Sequence, residues 1–372
     1  MNGIRVIDFH GSHREIGKQH GEECRNLIND FLGDLRENVI TRIKAKYDEK
    51  LMQDWIRKDW AYSVEYDSLL NDELEGIALG ANMEVLEIVF LNAFLDIVNA
   101  RDDRSAATLL GCTSFAATQE ATKDNKVYIG QNYDMEAFYN KYKILMRISA
   151  TNEPINLIYS YAGIVGCAGL NSEGIGLCIN FLHARDAAFG SLYPFRVRKI
   201  LSQTRIGDAI GASTIGARAG GVNFLIGDKS GLVVSVETTA KEHDIIFARK
   251  GILAHTNHYL SPHLRNYDLL IWDSTYDSGI SRRGSTITRY ITAMRFLEKN
   301  WGDITIEKLK ELASDQTNFP FSICCSGLDT DSDLLRGETN ASFLLDLQER
   351  NMAICSGIPS AGKTYRVIPV LK

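Results

Sequence analysis

The chain has 372 residues, of which 45% are hydrophobic and 24% charged, and its formal net charge is −6. These values are typical of a globular protein that is long enough to bury a sizeable core without metals or disulfides. Residues 1–111 carry a net charge of −8 and the remainder carries +2, so neither part has the basic surface that nucleic-acid binding requires.

The first 111 residues are predicted to be mainly helical. In chain order, the predicted elements are a strand over 4–9 and helices over 12–35, 50–60, 64–80 and 84–98. The first helix begins at Ser12, with Glu15 three residues later as its capping-box partner. Residues 101–108 are small and polar with no apolar period, which predicts an exposed linker just before Gly111.

After Cys112 the apolar period changes to that of strands. Strands are predicted near 112–118, 126–131, 143–150, 155–161, 164–169, 175–181, 222–227, 231–237, 242–247, 251–255, 341–346, 351–356 and 364–371, and helices near 193–203, 206–216, 283–298 and 305–314. The links between the first strands are too short for parallel crossovers. This order predicts an α+β layered fold with an antiparallel sheet core.

Cysteine usage and the start of the chain predict the compartment. The seven cysteines are odd in number and include no C-x-x-C pair, so neither a disulfide framework nor a zinc site is expected. No apolar run reaches 18 residues, and Asp8, His10, Arg14 and Glu15 interrupt any signal-peptide core. We therefore expect a cytoplasmic protein without a membrane span or a bound metal.

The dipeptide Gly111-Cys112 lies at the boundary between the helical part and the strands. A cysteine preceded by the smallest residue at such a boundary suggests that the chain is cut there, which would make Cys112 a new N-terminus. The alternative is a buried cysteine that opens a core strand, since free cysteine usually behaves as a small core hydrophobe.

Two other sequence patterns could each indicate either a chemical site or a purely structural feature. Residues 357–364 match G-x-x-x-x-G-K-T, but only eight residues follow Thr364 and their pattern predicts a strand. A phosphate-binding loop needs a helix there, so a turn between strands is favoured over a nucleotide site. The block His255–His258 follows a strand, and its histidine and asparagine side chains could donate to an oxyanion or simply form a polar loop.

Eight short blocks occur in order along the chain. They are Glu15-Ile16-Gly17 with His20-Gly21, Glu73-x-Glu75-Gly76-Ile77-Ala78, Glu87-Ile88-Val89-x-Leu91-Asn92, Gly111-Cys112-Thr113, Gly130-Gln131-Asn132-Tyr133-Asp134, Gly169-x-Asn171-x-x-Gly174, His255-Thr256-Asn257-His258, and Asn318-Phe319-Pro320-Phe321-Ser322-Ile323-Cys324. Together they resemble one family, the acyl-coenzyme A:6-aminopenicillanic acid acyltransferase family of self-processing cysteine N-terminal-nucleophile (Ntn) hydrolases.

The resemblance implies a four-layer αββα Ntn-hydrolase core with an N-terminal helical segment. It also implies self-cleavage between Gly111 and Cys112, which yields an α fragment of 1–111 and a β fragment of 112–372. The two fragments are expected to stay together as a heterodimer, and homo-oligomerisation is left open. The thiol and the freed amine of one residue would then act as nucleophile and base.

The resemblance also implies the roles of individual residues. Cys112 is the nucleophile, Asp134 orients its amine, and Asn257 donates to the oxyanion. Weaker candidates for substrate-facing or supporting positions are Thr113, Asn132, Tyr133, Asn180, His258 and Phe321. The family pattern continues with arginine after Ser-Ile-Cys, whereas this chain has Cys325, so the site is expected to lose a cation there.

The expected function is cleavage or transfer of the acyl group of a small N-acyl amine or amide, with no cofactor. Because Cys325 replaces the arginine, hydrolysis is favoured. The first alternative is an amine N-acyltransferase that uses acyl-CoA as its donor substrate. Two alternatives of other classes are a non-catalytic ligand-binding member of the fold and a P-loop nucleotide binder.

Overall fold

The computed structural model describes residues 3–37, 49–101, 111–272, 280–326 and 337–372. The helices are α1 (His13–Leu35), α2 (Glu49–Tyr66), α3 (Ser68–Ala81), α4 (Val85–Arg101), α5 (Tyr193–Leu201), α6 (Ile206–Thr214), α7 (Ile280–Lys299) and α8 (Ile306–Ala313). A single turn of helix at Leu269–Trp272 and short 3₁₀ turns at Ala137–Lys141, Arg265–Tyr267 and Pro359–Ala361 complete the helical part.

The strands form two sheets. They are β1 (Arg5–Gly11), β2 (Thr113–Ala117), β3 (Tyr128–Glu136), β4 (Lys143–Ala150), β5 (Asn156–Tyr161), β6 (Ala168–Asn171), β7 (Ile175–Leu182), β8 (Gly221–Asp228), β9 (Val233–Thr238), β10 (His243–Phe247), β11 (Ile252–His255), β12 (Gly337–Asp346), β13 (Asn351–Ser356) and β14 (Arg366–Pro369). The eight-stranded sheet has the order β1-β4-β5-β6-β7-β8-β9-β10, and the six-stranded sheet has the order β11-β2-β3-β12-β13-β14.

The two sheets face each other across the core and each is covered by helices on its outer side. Strands β2 and β3 pack on β7, and β13 packs on β6, so the inner faces of the sheets are in contact. Helices α1, α5 and α6 pack on the eight-stranded sheet, and α7 and α8 pack on the six-stranded sheet. The predicted four-layer αββα arrangement is therefore confirmed.

Most elements begin and end within a few residues of their predicted bounds. Ser12 caps α1, and the capping box with Glu15 is present. The predicted linker 101–108 lies outside the described residues after Arg101. One pairing differs from the expected antiparallel core, because β1 runs parallel to β4, with Arg5 opposite Ile144 and Gly11 opposite Ala150. A parallel pair needs a long link between its strands, and the link from β1 to β4 is long enough because it includes helices α1 to α4 and strands β2 and β3.

A buried charge cluster joins the segment 1–111 to the rest of the chain. The Glu73 carboxylate on α3 accepts two hydrogen bonds from the Arg198 guanidinium on α5, the one to Oε2 at 2.9 Å. His13 Nδ1 lies 2.9 Å from Glu73 Oε2, and His13 Nε2 lies 3.4 Å from Glu153 Oε1. Although burial opposes the charged form, Arg198 and His13 lower the pKa of Glu73 to about 2. The carboxylate is thus ionised and fully paired.

A Glu73→Gln substitution should lower the free energy of unfolding by about 3–5 kcal/mol, because it leaves the Arg198 charge buried without its partner. Urea denaturation at pH 7 measures this loss. The matched control is Glu75→Gln on the same helix, whose exposed pair with Arg14 spans 2.7 Å and should be worth less than about 1 kcal/mol. Equal losses for the two variants would contradict a larger contribution of the buried Glu73–Arg198 pair to the free energy of unfolding.

The contribution of Glu73 to the free energy of unfolding also depends on pH. Because its folded pKa is lowered to about 2, the stabilisation is present above the unfolded value near pH 4.5 and is lost as the pH falls towards 2. The deficit of the Glu73→Gln variant should shrink over the same range.

Candidate active site

Cys112 lies directly before β2, which pairs with β11 and β3 in the six-stranded sheet. It is 2% exposed. Its carbonyl oxygen accepts hydrogen bonds from Arg289 Nη1 at 2.7 Å and from Asn180 Nδ2 at 3.2 Å. Asn180 belongs to β7 of the facing sheet, and Arg289 belongs to α7. The start of β2 is therefore held from both neighbouring layers.

The Arg289 guanidinium is the centre of the hydrogen-bond network at this position. It is 3% exposed, and besides the Cys112 carbonyl it donates from Nη1 to Thr113 Oγ1 at 3.0 Å. Nη2 donates to Asn257 Oδ1 at 3.0 Å, and Nε donates to Ser285 Oγ at 3.1 Å. A buried cation with four acceptors holds a single orientation.

Asn257 follows β11, and its side-chain oxygen accepts the hydrogen bond from Arg289. Its backbone N–H donates to Thr286 Oγ1 at 2.9 Å, and its Nδ2 donates to the Phe181 carbonyl at 3.1 Å. His258 lies behind it, with Nδ1 2.9 Å from Thr286 Oγ1. Burial lowers the pKa of His258 to about 3, so this imidazole is neutral and supports the loop through Thr286.

Asp134 lies on β3 beside the dipeptide. Its Oδ1 accepts a hydrogen bond from Thr339 Oγ1 at 2.7 Å, and its Oδ2 is buried without a hydrogen-bond partner among the described residues. A Cβ added at Gly111 would lie 3.4 Å from Asp134 Oδ2 and 3.6 Å from Arg289 Nη2. The open oxygen of the carboxyl group thus lies next to Gly111.

Burial dominates the electrostatics of the nucleophile candidate. It raises the pKa of the Cys112 thiol to about 12, and the Asp134 charge adds to this while the Arg289 charge opposes it. Burial also raises the pKa of Asp134 to about 8, against the charge of Arg289 and the hydrogen bond of Thr339. In the intact chain at neutral pH, both groups therefore favour their protonated forms.

The remaining predicted residues surround this centre at different depths. Ser114 Oγ donates to Asn180 Oδ1 at 2.6 Å, so the Asn180 amide lies between two residues at the start of β2. Tyr133 is buried against Tyr159, with ring centroids 5.4 Å apart. Thr113 accepts a hydrogen bond from Arg289, and Asn180 donates one to the Cys112 carbonyl. Tyr133 lies in the core beside them.

Asn132 and Phe321 belong to the support of the site. Asn132 Nδ2 donates to the carbonyls of Ala313 and Ile323, each at 2.8 Å, so it ties the end of α8 and the loop after it to β3. The half-buried Phe321 offers its carbonyl to Ser285 Oγ at 3.0 Å, and Ser285 in turn accepts from Arg289. Both contacts fix the loop backbone around the site.

Comparison with known proteins now places the chain. A family model described as "Acyl-coenzyme A:6-aminopenicillanic acid acyl-transferase" matches residues 121–361, well over half of the chain. The chain belongs to this family. A member from Emericella nidulans, the 40 kDa form of acyl-coenzyme A:6-aminopenicillanic-acid-acyltransferase, is 27% identical over 95% of this chain and 93% of its own length.

Other similar proteins have lower sequence identity to this chain. An uncharacterized protein of Archaeoglobus fulgidus is 22% identical over 84% of this chain, which spans 58% of that relative. Among solved structures, a mutant of the conjugated bile acid hydrolase from Clostridium perfringens is 12% identical, with a TM-score of 0.45 over 69% of this chain and 92% of its own. Penicillin V acylase from Agrobacterium tumefaciens is 14% identical, with a TM-score of 0.45 over 66% and 83%.

Two residues of the site in this family member were not found from the sequence. Arg289 lies within a predicted helix whose pattern gives no sign of a site, and Thr339 lies at the irregular register of β12 where the pairing with β3 shifts. The Cys325 N–H donates to Thr339 Oγ1 at 3.0 Å. Position 325 brings no cation to the site, as expected. A cation is nevertheless present, because the Arg289 guanidinium reaches the Cys112 carbonyl from α7.

The G-x-x-x-x-G-K-T pattern forms a turn between strands. Gly357 and Gly362 have φ of 98° and 71°, values that glycine adopts without strain, and the chain continues into β14 rather than a helix. Within the described residues, no cluster of three or more His, Cys, Asp or Glu could hold a metal. The helices described are all too short or too polar to cross a membrane.

An Asp134→Asn substitution should stabilise the fold increasingly as the pH rises. The folded pKa of Asp134 is raised to about 8, so the native carboxyl costs stability progressively from the unfolded value near pH 4 up to pH 8. We expect the variant's advantage in free energy of unfolding to grow by more than about 1 kcal/mol between pH 5 and pH 8. Urea denaturation measures it, with both proteins carrying Cys112→Ala so that cleavage cannot differ. An equal difference at the two pH values would contradict the raised pKa.

Proposed function

We propose that this family member cuts itself between Gly111 and Cys112 and then acts as an N-terminal-cysteine hydrolase of small N-acyl amines or amides. The observation that carries the proposal is the convergence of Asp134 and Arg289 on the Gly111-Cys112 dipeptide, within 3.4 and 3.6 Å of a Cβ position at Gly111. A core cysteine that only fills space does not need a buried carboxyl and a buried guanidinium beside it.

Self-cleavage follows from this arrangement. The Cys112 sulfur attacks the Gly111 carbonyl carbon, and a C–S bond forms. The C–N bond to Cys112 breaks as the nitrogen takes up a proton, and the proton released by the thiol replaces the one that the donor has given up. Asp134, which favours its protonated form in the intact chain, lies close enough to Gly111 to supply that proton. Water then hydrolyses the thioester and frees the Gly111 carboxylate and the Cys112 thiol.

Turnover repeats the same chemistry on a substrate. The freed amine of Cys112 has a reference pKa of about 7.7–8.0, which suits a general base near neutral pH. The sulfur attacks the substrate carbonyl, the amine leaves with a proton, and Asn257 donates to the oxyanion. Water attacks the acyl-enzyme and releases a free acid. After cleavage Asp134 is the carboxyl group that orients the Cys112 amine.

The competing function is acyl transfer, in which an amine takes the acyl group and acyl-CoA is the donor. The Emericella relative is named for such a transfer to 6-aminopenicillanic acid, and the two reactions share an acyl-enzyme. We favour hydrolysis because Cys325 stands where the family pattern has arginine. A non-catalytic binding protein is the less supported option, since Cys112, Asp134 and Asn257 are all retained at one place.

A panel of N-acyl amides, incubated with and without a second amine and with and without acyl-CoA, tests the proposal. Liberation of free acid and amine without acyl-CoA is the expected result, and quantitative mass spectrometry of both products measures it. Formation of a new amide only when acyl-CoA is present would favour the transferase. The absence of both products across the panel would favour the binding protein.

A further inference from the structure

A buried carboxylate of the eight-stranded sheet holds the loop that carries Asn257. Glu237 lies on β9 and is buried. Its Oε1 accepts a hydrogen bond from the Leu260 N–H at 2.6 Å, and its Oε2 accepts one from the Ser261 N–H at 3.0 Å. His255 Nε2 lies 2.7 Å from the same Oε1. Because His255 precedes Asn257 and Leu260 follows it in the chain, one carboxylate fixes the loop on both sides of Asn257.

The hydrogen bonds of His255 define the protonation of its ring. Nδ1 lies 2.8 Å from the Thr256 carbonyl oxygen, and Nε2 lies against the Glu237 carboxylate. Carbonyl and ionised carboxylate oxygens only accept hydrogen bonds, and a neutral imidazole has one N–H to donate. Each carboxylate oxygen of Glu237 already accepts a backbone N–H, as the ionised form does. Both acceptors of His255 are therefore satisfied together only when both ring nitrogens carry hydrogen, which makes the contact a buried ion pair.

The ion pair also joins the two sheets beside the loop. Strand β11, which ends at His255, is an edge strand of the six-stranded sheet, and β9 belongs to the eight-stranded sheet. Tyr259 Oη donates to the carbonyl of Thr238, the residue after Glu237, at 2.8 Å. The position of Asn257 thus depends on contacts with β9 as well as on the pairing of β11 with β2.

We propose that Glu237 is a positioning residue for the oxyanion donor, which fixes the Asn257 amide through His255 and the loop backbone. This inference rests on the proposed function. Stability alone does not account for the ion pair, since a buried ion pair is often no more stabilising than apolar side chains of similar volume. A group displaced by about 1 Å from its productive position can instead cost about 100-fold in rate. We therefore expect the effect of Glu237 mainly in kcat.

A double-mutant cycle tests whether Glu237 acts through Asn257. Glu237→Gln keeps the size of the side chain but replaces one acceptor oxygen with an NH₂ group, so at least one of the three contacts is lost. It should lower kcat about 10- to 100-fold and change KM less than about threefold. In the Asn257→Ala background the same substitution should lower kcat less than about threefold, because a donor that has been removed cannot be misplaced.

The matched control is Glu73→Gln, which also removes the charge of a buried, hydrogen-bonded carboxylate but on α3. It should leave kcat within about threefold of wild type when both variants are assayed below their unfolding temperatures. Should Glu237→Gln not fold, His255→Gln breaks the ion pair from its other side and takes its place in the cycle.

Two further measurements do not depend on activity. Hydrogen exchange followed by mass spectrometry should show the amides of Leu260 and Ser261 exchanging about tenfold faster or more in Glu237→Gln, but not in Glu73→Gln. ¹⁵N NMR should show both ring nitrogens of His255 protonated in the wild-type protein at neutral pH.

Three results would overturn the inference. The first is an equal fold-loss of kcat from Glu237→Gln with and without Asn257, which a general loss of structure would produce. The second is a folded Glu237→Gln variant with wild-type kcat or with the exchange rates of Glu73→Gln. The third is an unprotonated ring nitrogen on His255 in the wild-type protein. A wild-type protein inactive on every substrate would overturn the proposed function instead, and hydrogen exchange would still decide whether Glu237 holds the loop.

Discussion

A Cys112→Ala variant should be recovered as one chain of 41.5 kDa, whereas the wild-type chain should yield two fragments that separate between Gly111 and Cys112. The methyl group cannot attack the Gly111 carbonyl, so neither the thioester nor the cut can form. The same change should lower kcat by on the order of 10⁶-fold, as removal of a catalytic nucleophile does in other acyl-transfer enzymes. Intact-mass analysis under denaturing conditions measures the first effect, and product release measures the second.

The matched control for this experiment is Cys24→Ala, since Cys24 is also buried but lies on α1 away from the site. It should cut and turn over as wild type does. Two fragments from the Cys112→Ala variant would exclude Cys112 as the nucleophile of cleavage. A wild-type protein that stays whole and leaves Cys112 unlabelled by thiol reagents would exclude the mechanism altogether.

An Asn257→Ala variant should lower kcat about 10²- to 10³-fold, which is the usual cost of removing one oxyanion donor. KM should change little, because the NH₂ group binds the charge that develops in the transition state rather than the ground-state carbonyl. Steady-state kinetics on the best substrate of the acyl-amide panel separates the two constants. Self-cleavage should slow as well if the same donor serves both reactions.

Asn300→Ala is the control for this prediction. Asn300 lies just beyond α7, where its side chain donates to the Phe296 carbonyl at 2.8 Å, away from the predicted site residues. A rise in KM with kcat unchanged in Asn257→Ala would assign Asn257 to substrate binding instead. Equal effects of the two substitutions would remove Asn257 from the site.

Residues of the segment 1–111 contact the rest of the chain at several places, and these contacts bear on what happens to the two fragments after cleavage. Strand β1 covers the edge of the eight-stranded sheet by pairing with β4. Glu73 is buried in a charge cluster with Arg198, and Tyr66 Oη donates to the Ala212 carbonyl at 2.7 Å. A cut at Gly111 breaks none of these contacts. The two fragments should therefore remain together as one native particle that separates only on denaturation.

The elements of this fold could be predicted largely from the sequence because their signals are local. Each signal lies within a few positions of the helix, strand or turn that it specifies. Examples are apolar residues at helical or alternating spacing, the Ser12–Glu15 capping box, and turn residues such as Asn152 at φ 64°. The Gly111-Cys112 boundary was visible for the same reason, as a change of period at one point of the chain. Resemblance, rather than period, indicated Asp134 and Asn257.

Only the tertiary structure shows which distant residues contact Cys112 and Asp134. Arg289 reaches Cys112 across 177 positions, and Thr339 reaches Asp134 across 205. The parallel β1–β4 pair and the Glu73–Arg198 cluster also join distant segments. No local pattern encodes such contacts, because they depend on which faces the two sheets and the helix α7 present to one another after packing. The sequence by itself determined the elements and the candidate dipeptide at their boundary, and packing determined the cation that lies beside it.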